Sequence, residues 1–461
     1  MTVERVKATD RSGEATPTAL IPAPLASKRR LFYGWRLVAA AFVASFTTAG
    51  VQAYVSGAFF IPMSDDLGWT RAQFLYGQTL GQFVMGFFGF FIGAYVDRWG
   101  ARPLMLIGAT VLAVSLVFIS GITELWQWIA LRGTISMIGA ALLGNLVVNV
   151  TLSKWFVEHR GRAIGFSSMG VSSAGIVLPA VTTLVIDEFG WRVAWRALAV
   201  FVLMLGYPAA LMMRRTPEDL GLHPDGKSDH EMATGGGAAV IADFANSFTR
   251  REALRTKTMY LLVLAFGLGA LGLSTMIIIT IPYLSDSGFS RNTAALMVSI
   301  MAIPAALSKP LWGYMGDRWS ERLITSISFL MNTGALVLII AATAAHATGL
   351  VVVGYFLVGW GFGAQIPLQE SIWATYFGRR HIGAVRSAAM PMALLFSAGG
   401  PLIVAACYDR FGTYDGALYG VAAGWALASV VILFARRPTH RRGVDPPSPE
   451  LQTGTADTSR A

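Results

Sequence analysis

Twelve apolar stretches, each long enough to cross a bilayer, follow one another between residues 34 and 435, and that succession leaves the chain few folds to adopt. A spanning helix needs about 20 mostly apolar residues. The stretches run over 34–62, 73–95, 103–122, 126–152, 161–187, 192–213, 258–283, 292–315, 323–344, 349–373, 384–407 and 413–435. Inside hydrocarbon the backbone must satisfy its own polar groups, so each stretch is expected to be an α-helix. Only 13% of the 461 residues are charged and 54% are hydrophobic, whereas a soluble domain carries about 25% charged residues. The fold class expected is therefore an all-α integral membrane protein, multi-pass in a cell membrane and in lipid contact throughout.

The net charge of +10 would suggest nucleic acid as a partner in a soluble chain. Here the basic residues cluster in short connections between apolar stretches, a pattern that sets membrane orientation, so no nucleic-acid partner is expected. With a cytoplasmic N-terminus, the even-numbered connections hold Arg98 and Arg102, then Lys154, Arg160 and Arg162, then Arg318 and Arg322, then Arg379, Arg380 and Arg386. Arg71, Arg192, Arg196, Arg291 and Arg410 fall on the other side. Both termini are thus expected in the cytoplasm, which in a Gram-negative bacterium means the inner membrane. No cleavable leader is apparent, and the first helix is expected to act as its own insertion signal. The lone cysteine, Cys407, lies in an apolar stretch and reads as a small packing residue.

Composition shifts once, between 214 and 257, where Pro217, Glu218, Asp219, Pro224, Asp225 and the run Gly235 to Gly237 occur. The expected organisation is a disordered N-terminus over 1–30, a six-helix lobe over 31–213, a linker over 214–257, a second six-helix lobe over 258–437 and a disordered tail over 438–461. Within the linker, 248–255 is expected to form a short basic helix on the inner leaflet.

The two halves repeat one another. Gly93-Ala94-Tyr95-Val96-Asp97-Arg98-Trp99-Gly100-Ala101-Arg102 returns as Gly313-Tyr314-Met315-Gly316-Asp317-Arg318-Trp319-Ser320-Glu321-Arg322. Asp66 to Arg71 is matched by Asp286 to Arg291, Trp155-Phe156 by Tyr376-Phe377, and Pro179 by Pro401. The common spacing and common membrane orientation imply parallel lobes related by an axis along the membrane normal.

The pattern Gly-x-x-x-Asp-Arg-x-Gly-x-Arg resembles the loop signature of the major facilitator superfamily. Tyr33-Gly34-Trp35, Trp155-Phe156 leading into Arg160-Gly161-Arg162, and Lys309-Pro310-Leu311-Trp312-Gly313 are similar to segments of the monocarboxylate porters and their bacterial oxalate/formate relatives. The resemblance implies a major facilitator fold and a carboxylate cargo. Two departures bear on mechanism: Ala305 stands where the animal porters have an aspartate, and Ala53 or Tyr54 where they have a helix 1 lysine.

Gly93, Asp97, Arg98, Gly100 and Arg102, with Gly313, Asp317, Arg318 and Arg322, read as a paired gating device in which Asp97 faces a positive helix N-terminus. Cations within hydrocarbon cost at least about 2.5 kcal/mol, so an intramembrane Lys or Arg marks function by default. Lys309 and Arg132 qualify, and either can pair with an organic anion or snorkel toward the interface. Gln52, Tyr54, Gln78, Gln82, Asn145, Asn149 and Gln365 can line a polar path or bind helix to helix. Among the acids Glu370 comes nearest to mid-helix, which leaves no coupling carboxylate in the membrane centre.

No Walker sequence, metal spacing or catalytic set occurs, so neither an enzyme nor a cofactor or metal is expected. The sequence is best read as a monomeric secondary transporter of a small organic anion, with a co-transported proton or a counter-anion as the expected coupling partner. A proton-linked efflux carrier for amphipathic compounds is the alternative, with a non-transporting membrane sensor behind it.

Overall fold

The computed structural model describes residues 32–439; the expected disordered N-terminus, and the tail beyond residue 439, lie outside the described residues. Twelve spans follow in order: α1 (Tyr33–Leu67), α2 (Gln73–Trp99), α3 (Ala101–Ile119), α4 (Leu125–Trp155), α5 (Arg160–Phe189), α6 (Trp191–Met212), α7 (Lys257–Asp286), α8 (Asn292–Leu307 with Lys309–Arg318), α9 (Glu321–Ala344), α10 (Thr348–Phe377), α11 (Ile382–Phe411) and α12 (Asp415–Phe434). Eleven are long and apolar enough individually, and α8 qualifies as a pair bent by 41° at Ser308. No strand occurs among the described residues. The outward faces are apolar, with Phe83, Phe87, Phe91, Leu184, Met204 and Leu402 exposed, as lipid contact requires.

Several spans depart from regular α-helix. In α1, Gly50–Tyr54 form a π-helical turn, and Leu131–Ser136 form another in α4. Such turns hold an extra residue per hydrogen-bonded ring and free carbonyls for other partners. Gly144, in extended backbone, interrupts α4 before Asn145.

Packing repeats between halves. In the first, α1 packs on α5 and α3 on α6; in the second, α7 packs on α11 and α9 on α12. The halves meet where the end segment of α8 lies along α5 and the start of α11 lies along α2. Both contacts sit at one end of the bundle, called the motif end because it carries the α2–α3 and α8–α9 connections. The connections differ in backbone: Gly100 has φ of +81°, and its counterpart Ser320 has φ of −63°. A positive φ is costly for any residue with a Cβ, which explains why glycine stands in one copy and not in the other.

The expected basic helix of the linker is shorter than anticipated and serves differently. Only Arg250–Ala253 is helical, Phe248 is buried with its ring edge-on to Phe377 at 5.7 Å, and Arg250 reaches into the bundle. Its guanidinium donates to the carbonyls of Phe90 on α2 and Ala384 on α11 and to Ser387 Oγ, so one linker residue touches both halves. Burial of Phe248 and the backbone bond from Phe248 N to Phe377 O fix the segment against protein.

Candidate functional site: two strips between the lobes

At the motif end the chain builds the same contact twice. Asp97, near the end of α2, accepts from Gly383 N at 3.2 Å and Ala384 N at 2.8 Å in the first turn of α11. Asp317, near the end of α8, accepts from Gly161 N at 2.6 Å and Arg162 N at 3.0 Å in the first turn of α5. The first N–H groups of a helix lack intrahelical partners and carry partial positive charge, so each carboxylate satisfies donors of the opposite lobe. Backbones touch beside both acids: a Cβ on Gly93 would stand 1.9 Å from Gly383 O, and one on Gly313 would stand 2.1 Å from Gly161 O. Glycine is required at both positions because no side chain fits between the crossing helices.

Each acid also has a cation. Lys154 at the end of α4 lies 2.8 Å from Asp97, both side chains nearly enclosed, and Arg162 lies 3.2 Å from Asp317 with its own side chain about a third exposed. The remaining motif cations take outer positions. Arg98 lies over the Trp99 ring and lends its carbonyl to Arg215, Arg102 and Arg318 are exposed, and Arg322 donates to Leu433 O on α12.

Farther along the α5–α8 strip lies Lys309. The bend of α8 places it first in the helix after Ser308, which is itself tied to Trp360 O on α10. Its amine crosses to α5, donating to Ser168 O and Ser172 Oγ at 2.8 Å each, and the residue is only 4% exposed. The side chain therefore does not snorkel to an interface. Both partners are neutral oxygens, and no carboxylate lies within ion-pair distance among the described residues.

Arg132 is enclosed inside the first lobe. Its Nη2 donates to Gln52 O at 2.6 Å, Val51 O at 3.1 Å, Ser56 Oγ at 2.9 Å and Gln78 Oε1 at 3.2 Å. Gln78 Nε2 in turn donates to Gln52 O, and Gln52 Nε2 approaches Met85 Sδ at 3.0 Å. The π-helical turn of α1 supplies the two carbonyls, so Arg132, Gln52 and Gln78 form one network joining α1, α2 and α4. Nε and Nη1 of Arg132 are buried without a partner. Nothing in this network touches Lys309.

The other residues singled out by sequence are dispersed. Tyr54 is 39% exposed and packs over Gly175 of α5. Asn145 opens the second segment of α4, half-buried. Gln365 begins the second segment of α10 and turns Nε2 toward Gly269 of α7, buried and without a partner.

Several participants are silent in the sequence. Ser168 and Ser172 hold Lys309, Lys154 holds Asp97, and Glu321, half-buried, accepts from two hydroxyls of α10. Glu370 proves to be paired with Arg386 at 3.0 Å. The doubled motif could have drawn attention to Glu321, because its first copy has Ala101 there; nothing local marks the serines.

Two six-helix halves joined at one end by paired carboxylate–helix contacts define a membrane transporter built on a tandem repeat. The family model described as Major Facilitator Superfamily matches residues 37–277 and 262–459, and the chain belongs to that superfamily. It is 25% identical to mouse monocarboxylate transporter 11 over 80% of this chain and 79% of that protein. It is also 25% identical to the oxalate:formate antiporter of Oxalobacter formigenes, covering 82% of this chain and 87% of the other. A third relative, the Agnestins efflux protein AgnL12 of Paecilomyces divaricatus, is 25% identical over 84% of this chain and 81% of its own length. Among solved structures, the proton:xylose symporter XylE superposes with a TM-score of 0.70 over 88% of this chain and 96% of its own, at 12% identity, which speaks for the fold alone.

Proposed function

We propose that this transporter carries a small organic anion, a monocarboxylate or a related carboxylate, by alternating access of its two lobes, and that it does so as a carrier without a catalytic step. The observation that carries the reading is Lys309, an enclosed cation at the meeting of the lobes whose partners are neutral oxygens. A buried ammonium gains from a carboxylate the attraction of a full opposite charge, which the dipole of a carbonyl or hydroxyl does not supply. An anion reaching Lys309 supplies that missing charge. The monocarboxylate and oxalate:formate relatives support the same cargo class. With loops of Lys and Arg assigned to the cytoplasm, the motif end is the inner end, both termini lie in the cytoplasm of a cell-membrane protein, and the closed strips correspond to an inner gate held shut.

Uptake of labelled monocarboxylates and of oxalate into proteoliposomes tests the reading, with and without internal counter-anion to separate exchange from proton-linked movement. Saturable uptake of one of these anions is the expected result. The efflux relative gives a second reading a specific footing: flux of amphipathic compounds with none for any carboxylate would select it. Saturable binding without flux of either kind would select a sensor.

A further inference from the structure

The interior acids at the motif end fall into two kinds. Asp97, Asp317, Asp243 and Glu370 each have a Lys or Arg within ion-pair distance. Glu321, the first residue of α9, has none among the described residues. Its Oε1 accepts from Ser371 Oγ at 2.6 Å and from Thr375 Oγ1 at 3.0 Å, both on α10. The same Thr375 hydroxyl accepts from Arg160 Nη1 at 3.2 Å. Arg160 belongs to α5, in the other lobe, and is almost fully enclosed. A hydroxyl that donates to a carboxylate while accepting from a guanidinium is oriented by both, so Glu321, Thr375 and Arg160 form a relay across the lobe boundary.

Solvent reaches this relay from one side. A cavity of about 380 Å³ at the motif end is lined by Glu321, Ser371 and Thr375 together with Glu158, Trp319 and Arg437. Charged and titratable groups face Glu321 from every neighbouring element. They are Arg160 on α5, Asp317 at the end of α8, Arg322 on α9, Tyr376 on α10, Glu158 in the α4–α5 connection and Arg437 after α12. Asp317 opposes a negative charge on Glu321, whereas Arg160 favours it both by its own charge and through Thr375.

We propose that Glu321 is a proton-binding site open to the motif end, and that its protonation loosens the closed contact between the lobes. The step is a simple addition: the carboxylate takes one proton from the cavity and becomes a neutral acid. A neutral acid holds the Thr375 O–H less strongly, and it no longer attracts the Arg160 guanidinium across the boundary as a charge. Arg160 keeps Asp243 of the linker and the carbonyls of Ser153 and Phe156, none of which belongs to the second lobe's helices. Charge attraction between lobes therefore falls with Glu321 protonation, and the closed state with it. The sign is fixed: closure is fullest when Glu321 is ionised and weakens as pH falls at the motif end. The site rests on the reading of that end as a gate, and it adds a place for a proton outside the membrane centre.

The test needs no cargo. Spin labels at Pro103→Cys and Leu323→Cys, in a Cys407→Ser background, report the separation of the lobes at the motif end in nanodiscs between pH 8 and pH 5. The parent protein is expected to shift toward longer distances as pH falls. Glu321→Gln, permanently neutral, is expected to show the longer distances at every pH, and Glu321→Asp to retain the response at a displaced midpoint. His159 and His381, the imidazoles nearest the strips, are kept throughout, so a parental pH response surviving in Glu321→Gln belongs to them and overturns the proposal. Should Glu321→Gln fail to fold, Glu321→Asp decides: it keeps a carboxylate but draws it back from Thr375 and Arg160, and a midpoint unmoved from the parent's is equally fatal. In Lys309→Gln the pH response is expected to persist. Its persistence without anion flux in any variant would unseat the anion reading and leave Glu321 standing, and the reverse pattern would do the opposite.

Discussion

The strip where α8 meets α5 and the strip where α11 meets α2 share one repeated closing contact and differ in the cations set around it. Both carry the crossing glycines, Gly313 with Gly161 and Gly93 with Gly383. Both carry an aspartate on the opposing helix N-terminus. Farther into the bundle they part. The α5–α8 strip continues to Lys309 bound by Ser168 and Ser172, whereas the corresponding place on the α2–α11 strip holds Gly89 against Met390 Sδ. The shared part joins the lobes, and the unshared part puts one positive charge on the α5–α8 strip. Closure is thus built twice, and a buried cation stands on one copy alone.

The sharpest way to break this division is Lys309→Gln. A truncated buried charge pair costs about 2–5 kcal/mol, or roughly 30- to 5,000-fold in affinity, so anion flux in proteoliposomes is expected to vanish while thermal stability changes little. Near-parental flux would mean that the charge serves the α5 contact alone. Gly89→Ala, the counterpart on the other strip, is expected to leave charge selection as it was.

Next in size is the contrast between the aspartates. Asp97→Asn leaves the enclosed Lys154 without a carboxylate, a loss of about 3–5 kcal/mol for a buried pair. Asp317→Asn leaves Arg162, which water already reaches and which lies 5.5 Å from the Tyr314 ring, and about 1–2 kcal/mol is expected. Thermal unfolding in detergent measures both, and equal losses would show that Lys154 is better solvated than its enclosure implies. The glycines should behave alike. Alanine at Gly93 or Gly313 meets a carbonyl of the facing helix, and overpacking of about 1–3 kcal/mol is expected to push either variant toward the open motif end, measured by the same labels at Pro103→Cys and Leu323→Cys. An effect confined to one strip would show that the closures are not equivalent.

Much of this architecture is legible in the chain because hydrocarbon imposes a length and a periodicity that residues report locally. The spans, the repeat, the crossing glycine Gly93 and the aspartate facing a helix N-terminus all follow from local pattern. What escapes is pairing across distance. In sequence Gln52 and Gln78 read as lining a path or binding helix to helix, and Arg132 as an anion partner or a snorkelling cation; a π-helical turn in α1 exposes two carbonyls and gathers all three into one interhelical network, and no sequence pattern announces that turn. The partners of Lys309 lie more than 130 residues away on an otherwise ordinary serine-rich face of α5. The linker segment at 248–255 looks like a surface helix because its arginines are local, while the docking of Phe248 and Arg250 depends on α2, α10 and α11.

The smallest effect expected separates the two duties of Lys309. Ser172→Ala removes one of its two bonds to α5, worth about 0.5–1.5 kcal/mol, and keeps the bond to Ser168 O. A serine hydroxyl and an anion compete for the same ammonium, so weakening the hydroxyl's hold is expected to lower KM for the anion about two- to tenfold and to loosen the closed motif end slightly. Ser387→Ala on the other strip is the matched comparison. Its hydroxyl accepts from Arg250 and its Cβ lies close against Gly93, on the strip without Lys309, so the linker clamp should weaken with KM unchanged. A KM shift in Ser387→Ala, or none in Ser172→Ala, would erase the distinction between a strip that closes and a strip that also selects.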